Sequence, residues 1–212
     1  MRRPEFIARQ GSCPTGVLGS LVACIMARET VAENAAALDL LRIAPTDQVL
    51  EIGFGHGRTI AVAAQRARQG FVAWIDLSER MYQIASRANR DLIRAGRVEL
   101  KTGNASQIPY SDGRFDKVLS VHTLYFWRDP IRVFHEVHRA LKPAGSFVLG
   151  FRPQEDTQTS RDFPESVYTF YSRTKVQDLL EASGFFVRHM MQGNSARGIC
   201  LAVAQAKNGG KD

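Results

Sequence analysis

Cysteine is scarce in this chain: Cys13, Cys24 and Cys200 are the only three among 212 residues. An odd number so widely spaced supplies neither a zinc cluster nor a disulfide framework, and it suits a reducing, cytoplasmic setting. Long apolar runs are also missing. Nothing approaches the roughly 18 residues of a membrane-spanning helix, so surface association is the closest membrane contact expected. Low-complexity tracts, internal repeats and basic tails are absent. The net charge is +7, yet the arginines between Arg66 and Arg97 are spaced as on solvated helix faces, and a nucleic-acid partner is not expected. What is present, 44% hydrophobic and 23% charged residues, is the composition of an ordinary folded domain.

Near the start, Arg2, Arg3 and Arg9 precede a short apolar run ending in Leu21-Val22-Ala23-Cys24, which looks like a lipoprotein cleavage box. The run is too short for an export signal and Glu5 lies in the region before it. Val17, Leu18, Leu21, Val22, Ile25 and Met26 instead fall on one helical stripe, for which burial against the core is expected. Thr30 and Glu33 have the spacing of a capping box, and Val31, Ala35, Leu38 and Leu41 continue the helical period until Pro45 forbids it. Residues 1–45 are therefore expected to form a helical cap containing two short helices over 17–43.

Beyond Pro45, strand-like and helix-like segments alternate, the pattern of a parallel sheet with helices on both faces. Strands are expected near 48–52, 71–76, 98–102, 115–121, 146–151, 185–191 and 198–205. Helices are expected near 57–69, 78–95, 129–141 and 174–183, with Ser78, Asp129 and Thr174 as N-caps. Gly145 and Gly184 suit turns out of helices into strands. The last two strands have no helix between them and Gly193-Asn194-Ser195 suits a tight connection, so the final strand should run antiparallel. The fold class is thus α/β, a Rossmann-like three-layer sandwich with a seven-stranded mixed sheet, over residues 46–206. Residues 152–173, polar and aromatic, read as a loop or lid, and 207–212 as a disordered tail.

Four loops leave the carboxyl ends of these strands, where ligands bind in open α/β sheets. The first is Glu51-Ile52-Gly53-Phe54-Gly55-His56-Gly57, an acid followed by three alternate glycines whose amides can approach a polar ligand. Arg58 stands where a dinucleotide fingerprint wants its third glycine, which counts against NAD. The second is Asp76, 23 residues beyond Gly53, at the interval from which an acid accepts hydrogen bonds from ribose hydroxyls. A bare strand–turn–helix, or a turn aspartate, would look similar to either alone. Gly103-Asn104-Ala105 and the segment from Phe115 to His122 complete the set.

With these residues the chain resembles the class I S-adenosylmethionine-dependent methyltransferases, in particular the small-molecule branch containing quinone-biosynthesis enzymes. The resemblance covers about 46–151, with Glu51 to Gly57 like motif I, Asp76-Leu77-Ser78 like the acidic ribose motif, Asn104-Ala105 like the adenine motif and Phe115 to His122 like motif IV. The turn Arg139 to Gly145 resembles the one before strand five. It implies S-adenosylmethionine as cofactor. Gly53, Phe54, Gly55 and Gly57 would line its methionine part, and Glu51 would position the turn or the amino group. Asp76 would take the ribose, Leu77 and Met81 the adenine, and Asn104 and Ala105 the adenine edge. Ser120, Val121 and His122 would complete the cofactor-binding set, with His122 facing the methyl. The family often has aspartate where Asn104 stands, and Gly-Gly where Ala144-Gly145 stands.

The activity implied is methyl transfer to a small organic or lipid-like acceptor. The transfer needs the nucleophile held in line, and His122 is the candidate proton acceptor, with a structural histidine as its alternative. Tyr125, Trp127, Tyr168 and Tyr171 are candidates for an aromatic wall or for packing, and His135 and His138 for surface or packing. Ser120-Val121-His122-Thr123 is unlike the Asn-Pro-Pro-Tyr type of DNA-base enzymes. The rival readings are an RNA methyltransferase, a non-catalytic nucleoside-binding protein and, third, an NAD enzyme. No metal site is expected.

Overall fold

The computed structural model describes residues 4–53, 57–156, 162–192 and 198–207, with only some of the side chains of the helix over 16–29. Three helices open the chain, α1 (Glu5–Ser12), α2 (Gly16–Glu29) and α3 (Val31–Leu41). Strands β1 (Gln48–Ile52), β2 (Phe71–Asp76), β3 (Val98–Thr102), β4 (Phe115–Val121) and β5 (Leu141–Phe151) are all parallel to their neighbours among themselves. Between them run α4 (Arg58–Arg66), α5 (Glu79–Ala88), α6 (Arg90–Arg94), a 3-10 turn (Leu124–Phe126) and α7 (Pro130–Ala140). Helix α8 (Arg173–Ala182) leads to β6 (Phe185–Gln192) and β7 (Cys200–Ala206).

The sheet has seven strands in the order β3-β2-β1-β4-β5-β7-β6, and β7 runs antiparallel to both β5 and β6. Both faces are covered, which is why β1 and β2 are buried almost continuously along their length and do not alternate. One buried cluster joins Phe115, Phe134, Phe147 and Phe185. The other joins Leu38, Leu41, Ile60 and Trp74, so that α3 closes over the sheet. The chain leaves β1 towards β2 and β3, then crosses back to β4. The sheet's switch point therefore lies between β1 and β4, where a crevice opens at the strand ends.

Several details differ from expectation. Helix α1 has no counterpart in the sequence reading. Thr30 makes no side-chain cap to α3, because Glu33 is turned inward, 4% exposed. The helix expected over 78–95 breaks at Asn89, whose side-chain amide donates to the carbonyls of Gly57 and Ala85. Ser78 and Asp129 cap as expected, but Ser172 caps α8 in place of Thr174. Residues 142–145 do not separate α7 from a later strand. They form an irregularity inside β5, with Ala144 at φ 59° and the pairing jumping from Leu141 to Ser146. In α2, Val22 is buried but Leu21 and Ile25 are 58% and 51% exposed, so the stripe is not wholly buried. His138 packs edge-on against Phe185. Gly193-Asn194-Ser195 and the tail after Lys207 lie outside the described residues, as does the middle of the 152–173 loop.

Candidate functional site

The crevice at the switch point is a cavity of about 800 Å³, within the size range of small-molecule sites. Its floor begins where β1 ends. Gly53 has φ 69°, a Cβ there would collide with the Thr123 methyl, and its amide donates to Ile75 O at 2.9 Å. Gly57 has φ 78°, and a Cβ would stand 2.8 Å from the Trp74 ring. Positive φ at these two glycines suits the bends out of β1 and into α4, and Gly57, Arg58 and Thr59 at the start of α4 line the crevice. Phe54 and Gly55, the expected methionine-side residues between them, lie outside the described residues.

Glu51 is the buried acid under this turn. Thr59 Oγ1 donates to its Oε1 at 2.8 Å, while its Oε2 is buried without a hydrogen bond among the described residues. Burial pushes its carboxyl up to about 8, against the opposing pull of the Thr59 hydroxyl and the Trp74 indole. At the tip of β2, Asp76 Oδ1 accepts from the Ser78 amide at 2.7 Å. Beside it Leu77 stands 59% exposed at the cavity edge, with Met81 beneath. Asn104 and Ala105 line the cavity after β3; Asn104 Oδ1 accepts from the Ser106 amide at 2.9 Å. Ser120, expected among the cofactor-binding residues, is fully buried and does not line the cavity. Its hydroxyl bonds Ile52 O at 3.0 Å and Thr123 Oγ1 at 2.5 Å, tying β4 to the end of β1.

Val121 and His122 both line the cavity. His122 has φ 60°, a left-handed conformation costing a non-glycine residue about 1–2 kcal/mol, and its amide is held by Gly150 O at 2.8 Å. Both ring nitrogens are engaged by the protein. Nδ1 faces the Tyr125 hydroxyl at 3.1 Å, and Nε2 faces the Glu33 carboxylate of α3. Arg152, also buried, brings its guanidinium within 3.7 Å of Glu33, and its backbone amide donates to the Tyr125 hydroxyl. Sequence reasoning missed Glu33 and Arg152. The only signal available was an acid on the same helix as an apolar stripe, and its spacing from Thr30 suggested a cap instead.

The remaining wall belongs to the N-terminal helices. Thr30 and, on α3, Val31, Asn34, Ala35 and Leu38 line the cavity together with Ser12 and Pro14, as do Phe126, Trp127, Arg128, Asp129, Arg132 and Val133. Pro14 is tied down by the Ser78 hydroxyl, which donates to its carbonyl at 2.7 Å. Of the aromatic candidates only Trp127 lines the cavity. Tyr125 and Tyr168 are buried among Phe126, Phe163 and Phe170, and none of the described residues of 152–173 lines the cavity. No His, Cys, Asp or Glu cluster suited to a metal exists among the described residues.

Residues 50–149 match the family described as a methyltransferase domain. The chain is 30% identical over 161 residues to the uncharacterized methyltransferase YdaC of Bacillus subtilis, covering 76% of this chain and 83% of that one. The chain belongs to the class I S-adenosylmethionine-dependent methyltransferases. A demethylmenaquinone methyltransferase of Symbiobacterium thermophilum is 32% identical to this methyltransferase over 105 residues, 49% of this chain and 42% of that protein. A SAM-dependent methyltransferase from Aquifex aeolicus has the same fold, with a TM-score of 0.71 at 20% identity over 96% of this chain and 99% of that one. So does a chain from the complex between the Haloferax volcanii Trm112 activator and a methyltransferase, with a TM-score of 0.76 at 20% identity over 98% and 100%.

The methyltransferase's cavity fits S-adenosylmethionine on its own chemistry. Among the described residues Glu51 Oε2 is a buried acceptor without a hydrogen bond, available to a cationic amino group. An acid at the tip of β2 sits next to an exposed leucine that a planar base would cover.

Proposed function

We propose that this methyltransferase acts on a small, largely uncharged organic or lipid-like acceptor, held between the N-terminal helices and the strand tips. The observation that carries the reading is the composition of the α3 wall. On α3, Val31, Ala35 and Leu38 line the cavity and the polar groups beside them, Thr30 and Asn34, carry no charge; Phe126, Trp127 and Val133 add apolar lining, accompanied by the charged Arg128, Asp129 and Arg132. Likeness to a demethylmenaquinone methyltransferase supports an acceptor of that general kind. On this reading residues 5–41 act as a cap and the protein works in the cytoplasm.

In the cofactor half, Gly53 and Gly57 admit the methionine part, with Glu51 accepting from its amino group. Asp76 accepts from the ribose hydroxyls, Leu77 and Met81 pack the adenine, and Asn104 with Ala105 meets its edge. Val121 and His122 wall the reacting end. When bound, the cofactor supplies a methyl group already activated on a sulfonium sulfur. The chain's part is to align the acceptor with that methyl and to exclude water, because a group so activated needs chiefly a nucleophile in line at about 3–3.5 Å. With both ring nitrogens of His122 engaged, alignment carries more of the work than proton removal.

The test is turnover of methyl-labelled cofactor with separate pools of phenols, quinols, amines, phospholipids and RNA. Label should appear in an uncharged phenol or quinol. Label confined to RNA, or binding with no transfer to any pool, would contradict the reading.

A further inference from the structure

The buried network of Glu33, His122, Tyr125 and Arg152 joins one residue of α3 to the ends of β4 and β5. Its members are 89 residues apart (Glu33 to His122) and 27 apart (Tyr125 to Arg152), so it is built by the fold and not by local geometry. We propose that Glu33 is a positioning residue for methyl transfer: it fixes the His122 imidazole as its Nε2–H tautomer and pins the α3 wall to the strand tips. The proposal rests on the reading of that wall as the acceptor's.

The hydrogens can be assigned from the partners. Arg152 N–H donates to the Tyr125 phenol oxygen. Tyr125 is buried, and its own hydrogen would be orphaned at some cost unless donated, so it goes to His122 Nδ1 at 3.1 Å. A ring nitrogen that accepts carries no hydrogen. The imidazole hydrogen is therefore on Nε2 and is donated to Glu33, whose carboxylate lies 3.7 Å from the Arg152 guanidinium. This order of phenol, imidazole and carboxylate locks the ring's direction and tautomer in the manner of a carboxylate behind an active-site histidine. The ring it locks lines the cavity, and the helix that carries Glu33 presents Val31, Asn34, Ala35 and Leu38 to that same cavity. Loss of Glu33 therefore disturbs the histidine and the wall together, while the Asp76 end stays as it was.

Nitrogen-15 NMR of the wild-type protein should show Nε2 carrying hydrogen and Nδ1 as an acceptor; the opposite tautomer would overturn the proposal. In a Glu33→Leu, Arg152→Met double variant, which leaves no unpaired charge buried, Tyr125 still donates to Nδ1, so the hydrogen should stay on Nε2 but lose its acceptor, seen as a shifted Nε2 nitrogen-15 signal and about tenfold faster exchange of that hydrogen with solvent. Amide exchange over 31–41 should rise about tenfold relative to β2, and affinity for S-adenosylhomocysteine should change by less than about threefold. Loosened amide exchange with an unchanged Nε2 signal would mean a merely structural contact and would overturn the positioning role. Should the double variant fail to fold, Tyr125→Phe decides: Glu33 should keep the hydrogen on Nε2, and a switch would refute the assignment. Failure of the acceptor reading would be seen separately, as absent transfer to uncharged acceptors with the wild-type tautomer intact.

Discussion

Replacing Glu51 by glutamine should flatten the pH dependence of this protein's stability, and the sign follows from the buried carboxyl. An acid whose folded-state pKa lies above its unfolded value holds a proton that unfolding releases. Below the ordinary value of 4.5 both states are protonated and the group has no effect on the pH dependence. Between 4.5 and about 8 the unfolded chain gives up the proton and the folded chain keeps it, so stability falls as pH rises. At about 1.4 kcal/mol per pH unit, the loss approaches about 5 kcal/mol once the pH passes the folded-state value. Glutamine has no proton to lose, and its carbonyl can still accept from the Thr59 hydroxyl. Urea unfolding of both proteins at steps between about pH 4.5 and 9 isolates this group, since all other titrations cancel in the difference. The variant should gain on the wild type steadily across that window. A difference independent of pH would refute the placement of Glu51 as a protonated acid under the glycine turn.

Loading the site should drive the same proton out. Binding of S-adenosylhomocysteine near neutral pH should release a proton, seen as a calorimetric enthalpy that varies with the buffer's ionisation enthalpy. Identical enthalpies in all buffers would argue against contact between the ligand's amino group and Glu51. Asp76→Ala should weaken that binding by about 1–3 kcal/mol through lost charge-assisted hydrogen bonds, and unchanged affinity by calorimetry would remove the ribose assignment. Gly53→Ala should cost about 1–3 kcal/mol in urea unfolding, because φ 69° and the Thr123 methyl both oppose a Cβ; a neutral substitution would mean that the turn is not held as described.

The frame of this fold is written locally and was legible. Strands buried on both faces announce themselves as short apolar runs such as Phe71 to Ile75, and Ser78 and Asp129 cap their helices through bonds three residues away. Gly53 and Asp76 could be placed because a strand–turn–helix fixes where such residues go. What escaped was long-range. Glu33 has the spacing of a capping residue but lies against His122, 89 residues on, where a buried arginine gives its charge a better partner than a helix end does. Asn89 broke a helix that its neighbours would have continued, because its amide reaches the Gly57 carbonyl 32 residues away. For Tyr168 and Tyr171 the sequence left an aromatic wall and packing both open, and they pack at the core with Phe163 and Phe170, since periodicity reports that a residue is apolar and not which surface it meets.

A crystal structure of the protein with S-adenosylhomocysteine tests the central claim most directly. The account predicts the ribose on Asp76, the base against Leu77 and Met81, the amino group towards Glu51, and open space between the sulfur and the α3 wall. Density for the nucleoside elsewhere, or an α3 wall that fills that space in the complex, would contradict it.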